Sequence, residues 1–208
     1  MPKQLVISIS REYGSGGHEI AEKLAGLLEL KLYDRNLLDE VVKSNNFKEN
    51  RLEKYDEVPK RFFVSKTVKG FSNSPQEIVA QMQFDYMKEK VHNKESFIIV
   101  GRCSEEKLRE AVDDDCIFIP IFIRADISKR IVRIMRLYNL NSTKAKEKIK
   151  RHDRNRKAYH NYFCSTRWGA ASNYDITINS AKIGIEKTVK IIADYITERI
   201  SETADISL

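Results

Sequence analysis

An apolar run near the start of the chain breaks into three glycines within four residues and passes straight into a helical pattern. Gln4-Leu5-Val6-Ile7-Ser8-Ile9-Ser10 reads as a buried strand and Gly14-Ser15-Gly16-Gly17 as a tight turn. His18-Glu19-Ile20-Ala21-Glu22-Lys23-Leu24-Ala25 then opens an amphipathic helix. The chain has only eight glycines, so three in one turn mark backbone that takes positive φ or comes close to another group. Strand, glycine turn and helix N-terminus together form an anion cradle, because N–H groups of the turn and the first helical turn point at one spot. The same residues also suit a tight βα turn with no ligand, and both readings stay open on this stretch alone.

The spacing departs from the usual phosphate loop, G-x-x-x-x-G-K-[ST]. With Gly17 on the second glycine, Glu12 falls on the first, His18 on the lysine and Glu19 on the Ser/Thr. The local context of strand, turn and helix fits; the letters mostly do not.

At 208 residues the chain is long enough for one domain with a substantial core. A hydrophobic share of 41% with 32% charged residues is ordinary for a soluble protein. No apolar run approaches the roughly 18–20 residues that span a bilayer, and residues 1–10 lack the features of a secretory signal. Cys103, Cys116 and Cys164 are odd in number and have no CxxC spacing, so free thiols in a reducing cytoplasm are expected. The net charge of +7 is concentrated: residues 124–167 hold 14 Lys/Arg against Asp126, Glu147 and Asp153. A local basic block calls for a local anionic partner, nucleotide phosphate or nucleic acid. Lysines on a solvated helix face explain part of it, but clustered arginines suit bidentate phosphate contacts.

Short apolar runs alternate with helical patterns, which predicts a parallel sheet covered by helices. Strands are expected at 5–10, 30–33, 96–100, 116–123 and 175–179. Helices are expected at 17–29, from 36, and at 75–93, 127–137, 142–163 and 183–200. Ile78, Met82 and Tyr86 predict the inner face of the third of these, and Ile127, Ile131 and Ile134 that of the fourth. Residues 44–95 are too polar for a short crossover and read as a mostly helical insertion. In such sheets ligands sit beyond the carboxyl ends of the strands. The polar residues there are Arg11 and Glu12, Asp34 and Arg35, Gly101 and Arg102, Arg124 and Asp126, and Asn179 and Ser180.

These residues resemble the cytidylate kinase-like branch of the P-loop nucleoside monophosphate kinases. Ile7 to Ala21 looks like that branch's version of the loop, with Arg or His in place of Lys. Tyr33-Asp34-Arg35 looks like its second-strand motif, Val100-Gly101-Arg102-Cys103 is similar to its Gly-Arg after strand three, and Asp153-Arg154-Asn155-Arg156 resembles its lid. Trp168-Gly169, Ser172-Asn173-Tyr174-Asp175 and Asn179 to Glu186 look like its C-terminal signature. The resemblance implies a P-loop NTPase fold: a three-layer α/β/α domain over 1–208 with a five-stranded parallel sheet. It also implies a helical monophosphate-binding insertion at 44–95 and a basic helical lid at 138–168. The implied activity is transfer of the ATP γ-phosphate to a nucleoside monophosphate, CMP or dCMP, with Mg²⁺. Gly14, Ser15, Gly16, Gly17, His18 and Glu19 would then bind the cofactor, with Asn179 and Lys182 near its adenine. Asp34, Arg35, Arg102 and Asp153 would face the acceptor, and Asp34, Arg154, Arg156 and His18 would act in catalysis. The metal ligands stay unassigned, with Asp34 and Ser15 able to take part.

Histidine is shorter than lysine and ordinarily titrates near pH 6.5. A bound triphosphate would favour its charged form, so nucleotide binding is expected to weaken above neutral pH. Glu19, where a hydroxyl would hold Mg²⁺, is expected to face solvent and complement the positive end of its helix. Loss of the lysine also fits a nucleotide-binding protein with little kinase activity. The basic block with Tyr159, Tyr162, Phe163 and Trp168 interleaved fits a nucleic-acid binder, which the lid-like arginine spacing argues against. Packing of these aromatics against the body is preferred. A homodimer is allowed but nothing in the sequence requires it.

Overall fold

The computed structural model describes residues 3–34, 67–68, 71–72 and 75–205. Its main sheet has five parallel strands: β1 (Gln4–Arg11), β2 (Lys31–Tyr33), β5 (Phe97–Ile99), β6 (Cys116–Arg124) and β7 (Ile176–Asn179). Their spatial order is β2-β5-β1-β6-β7, with β1 paired to β6 along its full length from Gln4 opposite Cys116 to Arg11 opposite Ile123. Two short antiparallel strands, β3 (Thr67–Val68) and β4 (Phe71–Ser72), form a separate pair.

Helices cover both faces, so the strands are apolar on both sides. α1 (Gly17–Leu27) and the last helix, α7 (Ile185–Asp205), cover one face. There Leu5, Ile7, Ile9, Ile98, Ile119 and Ile121 pack against Ile20, Leu24, Val189, Ile192 and Ile196. On the other face Val6, Phe97 and Ile99 meet Ala80, Phe84, Met87 and Val91 of α2 (Pro75–His92). The alternation of Leu5, Ile7 and Ile9 with Val6 along β1 is the two-residue period of a pleated strand. α3 (Ser104–Lys107) follows β5, while α4 (Ile127–Tyr138) and the long α5 (Ser142–Phe163) follow β6. Asn139, in the left-handed region at φ 49°, ends α4, and the Asn141 side chain caps α5 by accepting from the Lys144 N–H at 2.9 Å.

The predicted five-stranded parallel architecture is present, and the differences are local. α2 turns a different face inward than Ile78, Met82 and Tyr86 suggested: Ile78 is exposed, and Val79, Ala80, Phe84, Met87 and Val91 are buried. Both stripes have helical spacing, and contact with β5 chose between them. In α4, Ile127 is exposed and Arg130 is buried in the stripe with Ile134. The last helix divides at Gly184, φ 81°, into α6 (Ser180–Ile183) and α7. The insertion expected to be mostly helical contains the β3–β4 pair; its residues 44–66, the helix expected from Asn36, and Arg35 lie outside the described residues. Among the described residues no helix is long and apolar enough to cross a membrane.

Candidate active site

β1 ends at Arg11 and the chain turns back through two residues in the left-handed region, Gly14 at φ 81° and Gly16 at φ 82°. Such angles strain any residue with a Cβ. At Gly16 a Cβ would also collide with Ile185, and at Gly17 one would lie 2.7 Å from the Arg11 Cβ. The turn is braced from behind. The Ser15 hydroxyl donates to the Glu12 carbonyl at 2.9 Å, and the Ser180 hydroxyl donates to the Ser15 carbonyl at 2.6 Å. Ser15 is thereby buried, while Gly14, Gly16 and Gly17 turn their backbone to a cavity of about 660 Å³.

Of the strand ends expected to converge, Arg11, Glu12, Asp34, Gly101 and Arg102 line that cavity, while Arg124, Asp126, Asn179 and Ser180 do not. His18, Asp34, Arg102 and Arg156 all line it. His18 Nε2 lies 3.4 Å from Asp34 Oδ2 and 3.3 Å from Glu22 Oε1, so the imidazole sits between two carboxylates. The Arg102 guanidinium stacks 3.8 Å over the Tyr159 ring of α5. Arg156 donates to the Arg11 carbonyl at 3.0 Å, and Arg11 donates to the Gly101 carbonyl at 2.6 Å. The ends of β1 and β5 are thus linked to α5 around one opening.

Other expected site residues are placed differently. Glu19 is paired with Arg133 of α4 at 2.5 Å rather than left to solvent. Asp153 has both oxygens on protein donors: Oδ1 accepts from the Tyr13 N–H at 2.8 Å and Oδ2 from Arg130 at 2.5 Å. Burial raises its carboxyl above the usual value, against the opposing pull of the Tyr13 N–H and Arg130. Asn179 and Lys182 both engage Asp126, each at 2.8 Å, outside the cavity lining. Arg154 is exposed and also outside it. The helix expected to act as a lid is tied down over residues 153–160 by Asp153, Arg156 and His160.

Below the cavity lies a buried polar cluster that the sequence reading missed. Glu105, 1% exposed, accepts from the Ser10 hydroxyl at 2.9 Å and the Tyr174 hydroxyl at 3.1 Å, and contacts His160 Nε2 at 2.6 Å. Ser8 and Ser104 share a 2.7 Å hydrogen bond beside it. The available signal was the pair Ser8 and Ser10, two hydroxyls on one face of an otherwise apolar strand. Arg130, which joins Glu12 and Asp153, was hidden by its place in a basic run.

Tyr159, Phe163 and Trp168 of the basic segment pack against the body, as preferred, while Tyr162 is exposed. Phe163 lies 5.6 Å from Phe84 and 4.6 Å from Tyr159 between ring centroids, and Trp168 meets Phe122 edge-on at 5.5 Å.

The order of the sheet, the glycine turn after its central strand and the cavity beyond its carboxyl edge define a P-loop kinase-type α/β fold. Solved structures agree. The shikimate kinase from Acinetobacter baumannii in complex with shikimate matches with a TM-score of 0.53 over 95% of each chain at 12% identity. That from Bacteroides thetaiotaomicron matches with a TM-score of 0.54 over 93% of this chain and 98% of its own at 13% identity. An uncharacterized protein from Eubacterium ventriosum is more similar, at 32% identity and a TM-score of 0.72 over 93% of this chain and 99% of its own. No curated protein matches the sequence. Residues 6–182 match the cytidylate kinase-like family, to which the chain belongs.

Proposed function

We propose that the protein transfers the γ-phosphoryl group of ATP to a nucleoside monophosphate, with CMP or dCMP as acceptor. The observation that carries this reading is the Gly14–Gly17 turn opening onto a cavity that also presents His18, Asp34, Arg102 and Arg156. Phosphoryl transfer needs positioning and charge neutralisation rather than covalent chemistry, and this set supplies both. The turn and the start of α1 would hold the ATP phosphates by backbone N–H groups. Arg102, held flat by Tyr159, would grip the acceptor's phosphate. Arg156 would face the transferring group, and Asp34 would orient the acceptor. His18, poised against Asp34, would exchange carboxylates for phosphate oxygens.

The residues present fit ATP, because Gly14, Gly16 and Gly17 line the cavity with backbone and no side chain, leaving room for phosphates against the turn. They fit Mg²⁺ as an ion carried by the phosphates: Asp34 faces the cavity, and the described residues hold no preformed cluster of three metal-ligating side chains. Bound Mg²⁺ would neutralise charge on the transferring phosphate. Ser15 and Glu19 are occupied by Glu12 and Arg133.

A second reading, nucleotide binding with little turnover, is favoured by one observation: no lysine stands where the loop usually has one, and His18 is already engaged by Glu22 and Asp34. A coupled assay of ADP release with Mg·ATP and CMP, dCMP, UMP, AMP or GMP, beside calorimetric titration of ATP, separates the two. Turnover on one pyrimidine monophosphate, lost in Arg102→Ala, supports the kinase. ATP binding without turnover on any acceptor supports the binder.

A further inference from the structure

Cys103 and Cys164, about sixty residues apart in sequence, meet under the cavity floor. Cys103 immediately follows Arg102 and lines the cavity; Cys164 caps the C-terminal end of α5, the helix that carries Arg156 and Tyr159. Both are free thiols, 1% and 8% exposed, packed in the same core cluster; the Ser165 N–H and the Thr166 hydroxyl, just beyond Cys164, donate to Glu106 and bring the end of α5 against the start of α3 beside Cys103. His160, one helical turn before Cys164, is fully buried. Its Nε2 is held at 2.6 Å by Glu105. Its Nδ1 is buried without a hydrogen bond among the described residues, and the Cys164 N–H donates to the His160 carbonyl at 2.8 Å, one turn further along. Carboxylate, imidazole and thiol in series are the elements that orient and activate a sulfur nucleophile. Neither thiol has a part in the phosphoryl-transfer reading.

We propose that Cys103 and Cys164 are a peroxide-reactive pair that closes a reversible disulfide beneath the cavity, with Cys164 attacking and Cys103 resolving. The Cys164 thiolate attacks one peroxide oxygen; the O–O bond breaks, sulfur becomes the sulfenic acid, and the departing hydroxide takes a proton to leave as water. The Cys103 sulfur then attacks the sulfenic sulfur. Its proton leaves with the hydroxyl group as a second water, and the S–S bond forms. The two thiols together lose two electrons, which reduce one peroxide to two waters.

The electrostatics agree with this division. The Cys103 contact, followed by charged His160, lowers the Cys164 thiol to about 7 despite burial. Burial holds Cys103 well above its ordinary value, suiting it to wait as the neutral thiol. His160 is raised to about 10: burial opposes its charge, but Cys164 and Glu105 outweigh it. Cys116, half-buried at the margin of the same core cluster, is pushed up to about 11 by burial and serves as the internal control. Cys103 lines the cavity, the side from which peroxide would approach the pair; Cys164, 8% exposed, is not among the lining residues. The bond would fasten the Gly101–Cys103 loop to the end of α5, joining the segments that hold Arg102 and Tyr159.

The test is peptide mapping of the full-length protein under non-reducing conditions after stoichiometric hydrogen peroxide. The expected result is a Cys103–Cys164 cross-linked peptide two hydrogens lighter than its reduced parts. It should form before Cys116 is modified and revert with dithiothreitol. Cys103→Ser should stop Cys164 at a sulfenic acid trapped by dimedone, and His160→Gln should slow the reaction roughly tenfold at neutral pH. Modification of Cys116 first, or separate over-oxidation of the two thiols with no cross-link in the wild-type protein, overturns the proposal. The wild-type map decides even if a variant does not fold. The proposal does not rest on the phosphotransfer reading: ATP titration of the reduced protein tests that reading separately.

Discussion

The two faces of the sheet solve different problems. The face under α1 and α7 is aliphatic: Ile7, Ile9, Ile98 and Ile119 against Ile20, Leu24, Ile192 and Ile196. The face under α2 and the end of α5 mixes Val6, Phe97 and Ile99 with Ser10, Glu105, His160, Cys103 and Cys164. Aliphatic burial is non-directional, so the first face stabilises the sheet without fixing any one side chain. Buried polar groups must find partners at defined distances, so the second face holds the Arg102 loop and α5 in register below the cavity. The difference teaches where the chain tolerates substitution: volume matters on one face, partnership on the other.

Removing one partner on the polar face tests this most severely. His160→Ala leaves Glu105 buried beside two hydroxyls without its cation, and we expect a loss of about 3–5 kcal/mol in denaturant unfolding. The pH dependence has a definite sign. His160 is raised to about 10 in the fold against about 6.5 unfolded. Its contribution is therefore complete below about pH 6.5 and lost as pH rises towards 10. The melting temperature of the wild type should fall across that range, and that of His160→Gln should fall less; equal slopes break the comparison.

On the aliphatic face Ile7→Ala is expected to cost about 2–5 kcal/mol through cavity formation, with the kcat of the folded fraction retained. A kcat lost in step with stability would show that the two faces are not separable. At the cavity, Arg102→Ala or Arg156→Ala is expected to lower turnover about 10²–10³-fold, the usual effect of removing a positioned charge donor, with melting temperature little changed. The smallest effect is expected for Arg154→Ala: being exposed, it should leave kcat within about twofold, as surface substitutions usually do. A loss comparable with Arg156→Ala would mean that Arg154 swings into the cavity during turnover.

The strands and the glycine turn were legible because their signals are local. Ile, Val and Phe runs of five to eight residues bounded by polar ends have few other interpretations, and Gly14 and Gly16 have the positive φ that their clustering implied. Asp34 and Arg102 were legible because the carboxyl ends of parallel strands converge on one edge, His18 because it follows the glycine turn, and Arg156 only through the family resemblance. Facing was harder. Met82 and Met87 are both apolar in α2, and only contact with Phe97 and Ile99 buries the second and leaves the first at the margin. Arg130 and Asp153 could not be told from the other charges of a basic run, because their pairing joins α4 to α5 across 23 residues.

The sequence by itself determined the parallel sheet, the position of the phosphate-type turn and the cytidylate kinase-like family, since each depends on residues close together along the chain. Only the tertiary structure decided that Glu19 pairs with Arg133, that Asp153 braces the turn, and that Glu105, His160, Cys103 and Cys164 share one buried cluster. Those contacts join residues 55 to 140 positions apart. Their partners are selected by the packing of helices on the sheet, and a one-dimensional pattern carries no record of which side chains that packing brings within three ångströms.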